Sequence, residues 1–312
     1  MKFPMEMPEE RQELIMPLYR AELLVLVIDG SRSMYRRDFF DYKTGREISR
    51  GEGLMNIFND ILSRLVMSEV GNMFFISTVI FGEQATIVRA FEHGGKLYYP
   101  WAIIRQKVKQ MMRKGMKIGE AIEGVLSNEN LLLKHPCAIL RELGIRLWTN
   151  IADGLRKARM ICEAFFSDDW EILPPRERRR ATVVLLTDGR PTREEANTLS
   201  MARALKEIGI SSGLVEKRAS VRLVVVGMGK EIALSEETKK LLYECASPLD
   251  ESRDILDIWI DEHTRMRDIL YRPTGDHEHR YILILGELRR KEVVEALRSF
   301  LHIVSIPRKR LI

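Results

Sequence analysis

The chain has 312 residues, of which 45% are hydrophobic and 30% charged, a composition that excludes wholesale disorder and predicts a substantial packed core. Its 50 basic and 45 acidic residues leave a formal net charge of +5, which is weak evidence for a nucleic-acid-binding protein. Three cysteines without a CxxC spacing indicate neither a structural zinc site nor a disulfide framework, and they favour a reducing compartment.

Residues 1–20 are expected to form an N-terminal extension. Prolines and acidic residues stand there where a signal peptide would have an apolar segment, and no apolar run in the chain approaches the roughly 18 residues of a membrane span. We therefore expect a cytoplasmic protein without a membrane partner.

Short, nearly continuous apolar runs alternate with amphipathic stretches, a pattern typical of strands that helices cover on both faces. The runs predict five strands, at 23–28, 73–81, 182–186, 221–226 and 281–285. Alternation of this kind predicts an α/β protein with a Rossmann-like, doubly wound and mainly parallel sheet flanked by helices.

The stretches between the strands have helical periodicity. Helices are predicted at 53–67, at 151–165, after Thr192, after Ser235 and at 287–301. Thr192 with Glu195 has the spacing of a capping box, and Ser235 is followed by the acidic residues that a helix N-terminus favours.

We expect one domain over 21–312, with helical insertions at about 116–147 and 247–280. Pro136 is expected to break the helices of the first insertion, and Ile255, Ile258 and Trp259 mark a short helix in the second. Residues 35–51 are predicted to form a long polar loop with a turn at 43–45.

Three separate segments place small oxygen-bearing side chains at chain turns. Asp29 ends the first apolar strand and is followed by Ser31 and Ser33; Thr149 begins a predicted helix; and Asp188 ends the strand in LLTDGRPT. In an open parallel sheet, ligand sites form at the carboxyl ends of strands where the strand order reverses. If the two strands are neighbours, these five side chains converge on a site that suits a hard cation such as Mg²⁺ or Mn²⁺.

The three segments together resemble the metal-ion-dependent adhesion site of von Willebrand factor A domains, which has an Asp-x-Ser-x-Ser loop, a distant Thr and a later Asp. The resemblance covers about 21–304, apart from the insertions. It implies that Ser31 and Ser33 are direct ligands, that Thr149 binds directly or through water, and that Asp29 and Asp188 are outer carboxylates.

Two features depart from the family pattern. Arg32 stands between the serines where glycine is usual, which puts a cation beside the metal, and Leu147 and Trp148 precede Thr149 where small residues are common. Neither change removes a metal ligand, but both are expected to affect the affinity for the metal and the shape of the surface that meets a partner.

Simpler explanations exist for each motif taken alone. Asp29, Ser31 and Ser33 could merely cap a helix or hold a turn, and residues 276–279 (DHEH) fit a solvated loop better than a zinc site. The joint presence of the three segments favours the metal site.

The leading functional hypothesis is a non-enzymatic adaptor whose metal is completed by a Glu or Asp of a protein partner. By family analogy the partner would be a MoxR-type AAA+ ATPase, supplied by a separate subunit because the chain has no GxxxxGK[ST] phosphate loop. A nucleic-acid-associated role is the alternative. A metal-dependent phosphohydrolase is disfavoured because Asp29 lacks an acid two residues later, where Ser31 stands.

Overall fold

A computed structural model describes residues 21–67, 73–192, 195–208, 221–248, 271, 273–274 and 278–305. The predicted extension at 1–20 lies outside this part of the chain. Most of the predicted insertion at 247–280 also lies outside it, including the short helix expected around Ile255, Ile258 and Trp259, and residues Asp276 and His277 of the polar loop.

The described chain forms a seven-stranded sheet flanked by helices on both faces, with a small separate hairpin. The sheet strands are β1 (Ala21–Asp29), β4 (Phe74–Phe81), β5 (Ala85–Ile87), β6 (Tyr99–Pro100), β7 (Arg179–Thr187), β8 (Val221–Met228) and β9 (Ile282–Leu285). The hairpin consists of β2 (Phe39–Phe40) and β3 (Glu47–Ile48).

The strand order is β5-β4-β1-β7-β8-β9, with β6 also paired to β4. The four pairings among β4, β1, β7, β8 and β9 are parallel, and only the short strands β5 and β6 pair with β4 in antiparallel fashion. The chain leaves β1 toward β4 on one side and later returns to β7 on the other. The strand order therefore reverses between β1 and β7, and the predicted doubly wound, mainly parallel sheet is confirmed.

Nine helices in the described residues cover the sheet. They are α1 (Arg50–Met67), α2 (Trp101–Arg113), α3 (Ile118–Asn128), α4 (Pro136–Glu142), α5 (Ile151–Ser167), α6 (Glu195–Lys206), α7 (Lys230–Ala233), α8 (Glu236–Cys245) and α9 (Lys291–Ser305). None of them is both long enough and apolar enough to cross a membrane.

Alternate side chains of β1 belong to two separate cores, which explains why the strand is apolar throughout. Leu24, Leu26 and Ile28 pack with α1, α2, α3, α4 and α9 on one face. Leu23, Val25 and Val27 pack with α5, α6 and α8 on the other. Burial of apolar surface on both faces supplies most of the driving force for this architecture.

All five predicted strands are present with shifted boundaries, and so are the five helices predicted outside the insertions. The first helix begins at Arg50 rather than at residue 53, because Ser49 and Glu52 form a reciprocal capping box: Glu52 N donates to Ser49 Oγ (3.2 Å) and Ser49 N donates to Glu52 Oε2 (2.9 Å). Ser235 caps α8 as predicted, by accepting from Thr238 N. The last helix begins at Lys291 rather than at 287.

The first predicted insertion contains two helices, α3 and α4, but the role expected of Pro136 was wrong. Pro136 is the first residue of α4 and does not break a helix. A proline fits there because the first helical position needs no backbone N–H donor and its fixed φ suits the helix. Helix α2, which precedes the insertion, was not predicted, although its buried residues Trp101, Ile104 and Val108 stand at helical spacing.

Residues 35–51 were expected to be a polar loop, and that description was wrong in part. The segment holds the β2–β3 hairpin, and Phe39 and Arg50 within it are fully buried. The turn at 43–45 is present, and Gly45 adopts a φ of +71°, which glycine accommodates without strain.

Candidate metal centre

The first and third oxygen-bearing segments meet at one edge of the sheet. Strands β1 and β7 are parallel neighbours, with Ile28 opposite Leu186, so Asp29 and Asp188 both lie at the carboxyl ends of adjacent strands. Both carboxylates are buried, with exposures of 0% and 1%. This is the place where the reversal of strand order leaves a crevice, as the sequence predicts.

Ser31, Ser33 and Asp188 form a connected hydrogen-bonded cluster. The two serine hydroxyls lie 2.9 Å apart, and Ser33 Oγ donates to Asp188 Oδ1 at 2.6 Å. Ser31 Oγ lies 3.4 Å from the same carboxylate oxygen. Residues about 155 positions apart in sequence are therefore brought into direct contact, with their oxygens directed at one another.

Asp29 holds the loop in shape and uses both of its oxygens to do so. Its Oδ1 accepts from the backbone N–H of Ser31 at 2.8 Å, and its Oδ2 accepts from Thr187 Oγ1 at 2.7 Å. This arrangement suits the outer position that the family resemblance implies for Asp29. Thr187 was missed by the sequence analysis, although it is the residue just before Asp188.

Thr149 reaches the cluster from the second segment. Its backbone is tied to the Thr192 hydroxyl, which accepts from Thr149 N at 3.1 Å and donates to Thr149 O at 3.3 Å. The Thr192 hydroxyl thus binds Thr149, which the predicted capping box did not anticipate. Asn150 then caps α5 by accepting from Asp153 N.

The hydroxyl of Thr149 is available to a ligand. It makes no hydrogen bond to any residue in the described ranges, although Thr149 is only 5% exposed. A Cβ placed on Gly189 would lie 3.2 Å from Thr149 Oγ1 and 3.9 Å from Ser33 Oγ, so the two hydroxyls approach the same point beside this glycine. Together with Ser31 they line a cavity of about 350 Å³.

The first insertion contacts the serine loop, which comprises residues 30–33. The Cys137 thiol on α4 donates to the carbonyl of Ser31 at 3.2 Å, and Arg32 N donates to the carbonyl of Leu147 at 3.2 Å. Leu140 packs so closely on the loop that a Cβ at Gly30 would lie 2.5 Å from its Cδ1. The insertion therefore helps to shape the site.

Arg50 is a buried cation at the site that the sequence analysis missed. Its Nη1 donates to Asp188 Oδ2 at 3.0 Å, while Nε and Nη2 donate to Asp38 at 2.8 and 2.6 Å. Its side chain is 1% exposed. Gly229, with a φ of +95°, makes room for the guanidinium, since a Cβ there would lie 2.6 Å from Nη1. The Ser49–Glu52 spacing was the signal that could have placed Arg50 at a helix start.

The two carboxylates at the strand ends, Asp29 and Asp188, are buried close to each other. Burial, followed by the charge of Asp188, raises the pKa of Asp29 to about 7. Burial also raises the pKa of Asp188, although Ser33 and Arg50 act in the opposite direction. Among the described residues Arg50 is the cation that contacts Asp188 directly, and a divalent cation would offset more of the negative charge of Asp29 and Asp188.

The donor set fits a small hard cation. Every candidate ligand is a hydroxyl or carboxylate oxygen, which Mg²⁺ and Mn²⁺ prefer, and the side chains reach one cavity from three segments. Groups of three or more His, Cys, Asp or Glu side chains able to hold a metal do not occur in the described parts of the chain. A site of this kind depends on Ser and Thr hydroxyls.

Comparisons with known proteins give matches among solved structures alone. No family model and no curated protein matches the chain. Among solved structures, proximal thread matrix protein 1 from the mussel byssus matches at 15% identity with a TM-score of 0.45, over 90% of this chain and 47% of that one. The chain thus spans about half the length of this protein. Another structure of the same mussel protein, with a zinc-occupied MIDAS motif, matches at 17% identity with a TM-score of 0.40, over 91% of this chain and 46% of that one.

Two further matches cover most of their own chains. The SpRpn10 VWA domain matches at 12% identity and a TM-score of 0.39, over 73% of this chain and 83% of that one. The conserved hypothetical protein BatB from Bacteroides thetaiotaomicron matches at 14% identity and a TM-score of 0.38, over 91% and 98%. On its own strand order and on the five side chains at the β1–β7 edge, the chain has the fold of a von Willebrand factor A domain.

Proposed function

We propose that this protein is a divalent-metal-dependent protein-binding module. Mg²⁺ or Mn²⁺ would be held by Ser31, Ser33 and Thr149, with Asp29 and Asp188 as outer carboxylates, and a Glu or Asp of a partner would complete its coordination. The observation that carries the proposal is the convergence of Ser31, Ser33 and Asp188 within hydrogen-bonding distance, beside the unbonded hydroxyl of Thr149.

The chemistry of the donors explains why such a site would bind a partner. Neutral hydroxyls as direct ligands neutralise little of the charge of a divalent cation, so the bound ion stays electrophilic and attracts an external carboxylate. The cavity at the site is open to a partner, and Arg32 and Trp148 are among the residues that line it.

We also propose that the module is cytoplasmic and works with a MoxR-type AAA+ ATPase, linking the ATPase to a target protein. The support for this partner is family analogy, together with the lack of a GxxxxGK[ST] phosphate loop in the sequence, which requires any ATPase activity to come from another subunit.

Direct metal titration tests the site. We would titrate Mn²⁺ into the wild type and into Ser33→Ala, and follow free Mn²⁺ by electron paramagnetic resonance. Loss of a direct hydroxyl ligand is expected to weaken binding by roughly ten-fold or more. Ser127→Ala is the matched control because Ser127 is exposed on α3, away from the cluster. Equal affinities in all three proteins would contradict the site assignment.

Affinity capture from native lysate tests the partner. The wild type and Ser33→Ala would each be used as bait in Mg²⁺ and in EDTA. The proposal expects a AAA+ ATPase that only the wild type retains, and only with metal. Capture that is equal in EDTA and Mg²⁺ would contradict the role of the metal in partner binding.

Two alternative functions have less support. Asp29 is a poor candidate nucleophile for a phosphohydrolase, because it is fully buried and both of its oxygens already accept hydrogen bonds. A nucleic-acid role would draw on the basic run at 176–180, but Arg179 within it is buried and donates to the carbonyls of Phe165 and Pro174. That cation is therefore unavailable to phosphates.

A further inference from the structure

A pocket beside the metal site is lined by three arginines. It has a volume of about 570 Å³, and its lining residues are Arg32, Ser33, Tyr35, Arg36 and Arg141. Ser33 is also one of the candidate metal ligands, so the pocket begins where the metal site ends. A ligand that reaches the metal would lie at the mouth of this pocket.

Two of the three guanidinium groups remain available for an external anion. Arg36 is paired with Glu231. By contrast, Arg32 and Arg141 form no ion pair with a carboxylate in the described ranges, and both are exposed. Unneutralised arginines that line a concave surface next to a divalent-cation site create a strongly positive local field, which attracts negatively charged groups.

Arg141 is held in a defined position by aromatic packing. Its guanidinium lies 4.7 Å from the ring centroid of Tyr35, and the Tyr35 ring is also stacked on His135 at 4.6 Å with an interplanar angle of 12°. His135 in turn caps α4 by accepting from Cys137 N. Arginine that is stacked on an aromatic ring loses less conformational entropy when it binds, so Arg141 is prepared for a planar anion.

We infer that the Arg32–Arg141 pocket binds a second carboxylate of the same acidic partner segment whose first carboxylate completes the metal. The inference rests on the proposed function and specifies the partner: an extended segment with two acidic residues close together in sequence, because the pocket and the cavity at the metal site share Arg32 and Ser33 as lining residues. Carboxylates match the planar fork of a guanidinium, which can bind them through two parallel hydrogen bonds.

The arrangement also gives a role to Arg32, which stands where glycine is usual in the metal-ion-dependent adhesion site that this segment resembles. A cation beside the metal opposes metal binding when the pocket is empty, and it favours an anion once the metal is bound. Metal and acidic segment should therefore bind cooperatively, each raising the affinity of the other.

Peptide binding with defined probes tests the inference. We would measure fluorescence anisotropy with two fluorescein-labelled hexapeptides, hexaglutamate and a peptide with one glutamate among glutamines, in Mg²⁺ and in EDTA. In Mg²⁺ the wild type should prefer hexaglutamate. The double variant Arg32→Gln/Arg141→Gln should bind hexaglutamate roughly five-fold to ten-fold more weakly, and the single-glutamate peptide less than about two-fold more weakly.

Arg113→Gln is the matched control, because Arg113 is an exposed arginine at the end of α2 that lines neither cavity. It should retain the hexaglutamate preference. Metal-dependent binding that is equal for both peptides, or that the double variant leaves unchanged, would overturn this inference while leaving the proposed function intact. Binding that is absent or independent of Mg²⁺ for both peptides would contradict the proposed function itself.

Discussion

Arg50 Nη1 donates a hydrogen bond to Asp188 Oδ2 at 3.0 Å, on the same carboxylate whose Oδ1 accepts from Ser33. Asp188 therefore has one oxygen bound to an internal cation and the other directed into the candidate metal site. The same guanidinium binds Asp38, so one buried arginine joins the start of α1 to the end of β7 and to the segment before the β2–β3 hairpin. Because Arg50 holds Oδ2, it orients the Oδ1 of Asp188 toward Ser33 and the candidate metal site, and it therefore acts as a positioning residue.

Replacement of Arg50 should lower the stability of the protein, because the position of Asp188 depends on this guanidinium. Arg50→Met leaves Asp188 buried beside Asp29 without a cation, and removing one partner of a buried pair costs roughly 3 to 5 kcal/mol. We expect a large loss of unfolding free energy in EDTA that Mg²⁺ partly restores, measured by urea denaturation in both conditions. Arg64→Met, at an exposed i,i+4 pair with Asp60, should cost less than about 0.5 kcal/mol. Equal small losses for both variants would contradict the positioning role.

The contact between Gly30 and Leu140 should couple the insertion to the serine loop. Gly30→Ala places a Cβ against Leu140 Cδ1, so the loop or α4 must shift, and overpacking of this kind typically costs about 1 to 3 kcal/mol. We expect lower stability and weaker Mn²⁺ binding, with partial rescue by Leu140→Ala in the double variant. Strictly additive effects in this double-mutant cycle would show that the two residues are not coupled.

The three cysteines should be inert in the native protein. All are buried; burial, followed by the charges of Asp29 and Asp188, raises the pKa of Cys137 to about 12, and burial raises that of Cys245 to about 12 as well. The reactive thiolate is therefore scarce at neutral pH. We expect negligible iodoacetamide labelling until urea unfolds the chain, as measured by mass spectrometry. Rapid labelling of any one cysteine in the native state would contradict its burial.

Asp168 should stabilise the fold in a pH-dependent way. It accepts from Lys96 Nζ and from the Tyr98 hydroxyl, each at 2.6 Å. Burial acts to raise the pKa of Asp168, but these hydrogen bonds outweigh it and hold that pKa below its usual value. A folded pKa below the unfolded one contributes stability that is present above the unfolded pKa of about 3.9 and lost as pH falls through the folded pKa.

The corresponding variant is Asp168→Asn, which should lower the unfolding free energy by about 1.5 to 3 kcal/mol at pH 7 and by less near pH 3. Asp169→Asn is the neighbouring control, since Asp169 is 92% exposed in its side chain. Urea denaturation at both pH values would measure the difference. A cost for Asp168→Asn that is the same at pH 3 and pH 7 would rule out the charge of Asp168 as its source.

The strands and the five candidate ligands could be predicted from the sequence because each leaves a local signal. A strand buried on both faces must be largely apolar, as the runs 23–28 and 183–186 in these two strands are. Asp29 and Asp188 then stand directly at strand ends, and parallel strands bring their carboxyl ends to one edge. The sequence therefore predicted the five apolar strands, the doubly wound class of the sheet and the residues of the oxygen cluster, whereas the β1–β7 pairing that brings those residues together came from the structure.

The tertiary structure alone decided what surrounds that cluster. Arg50, Cys137 and Leu140 reach the site from segments that look like a polar loop and an insertion, and Arg141 gains its place by stacking on Tyr35. These contacts join residues more than a hundred positions apart, and no local periodicity encodes them. Arg50 is buried and Arg141 is exposed, yet the sequence alone does not distinguish these two arginines. Burial depends on how the whole chain packs, and packing therefore decides which charges surround the site.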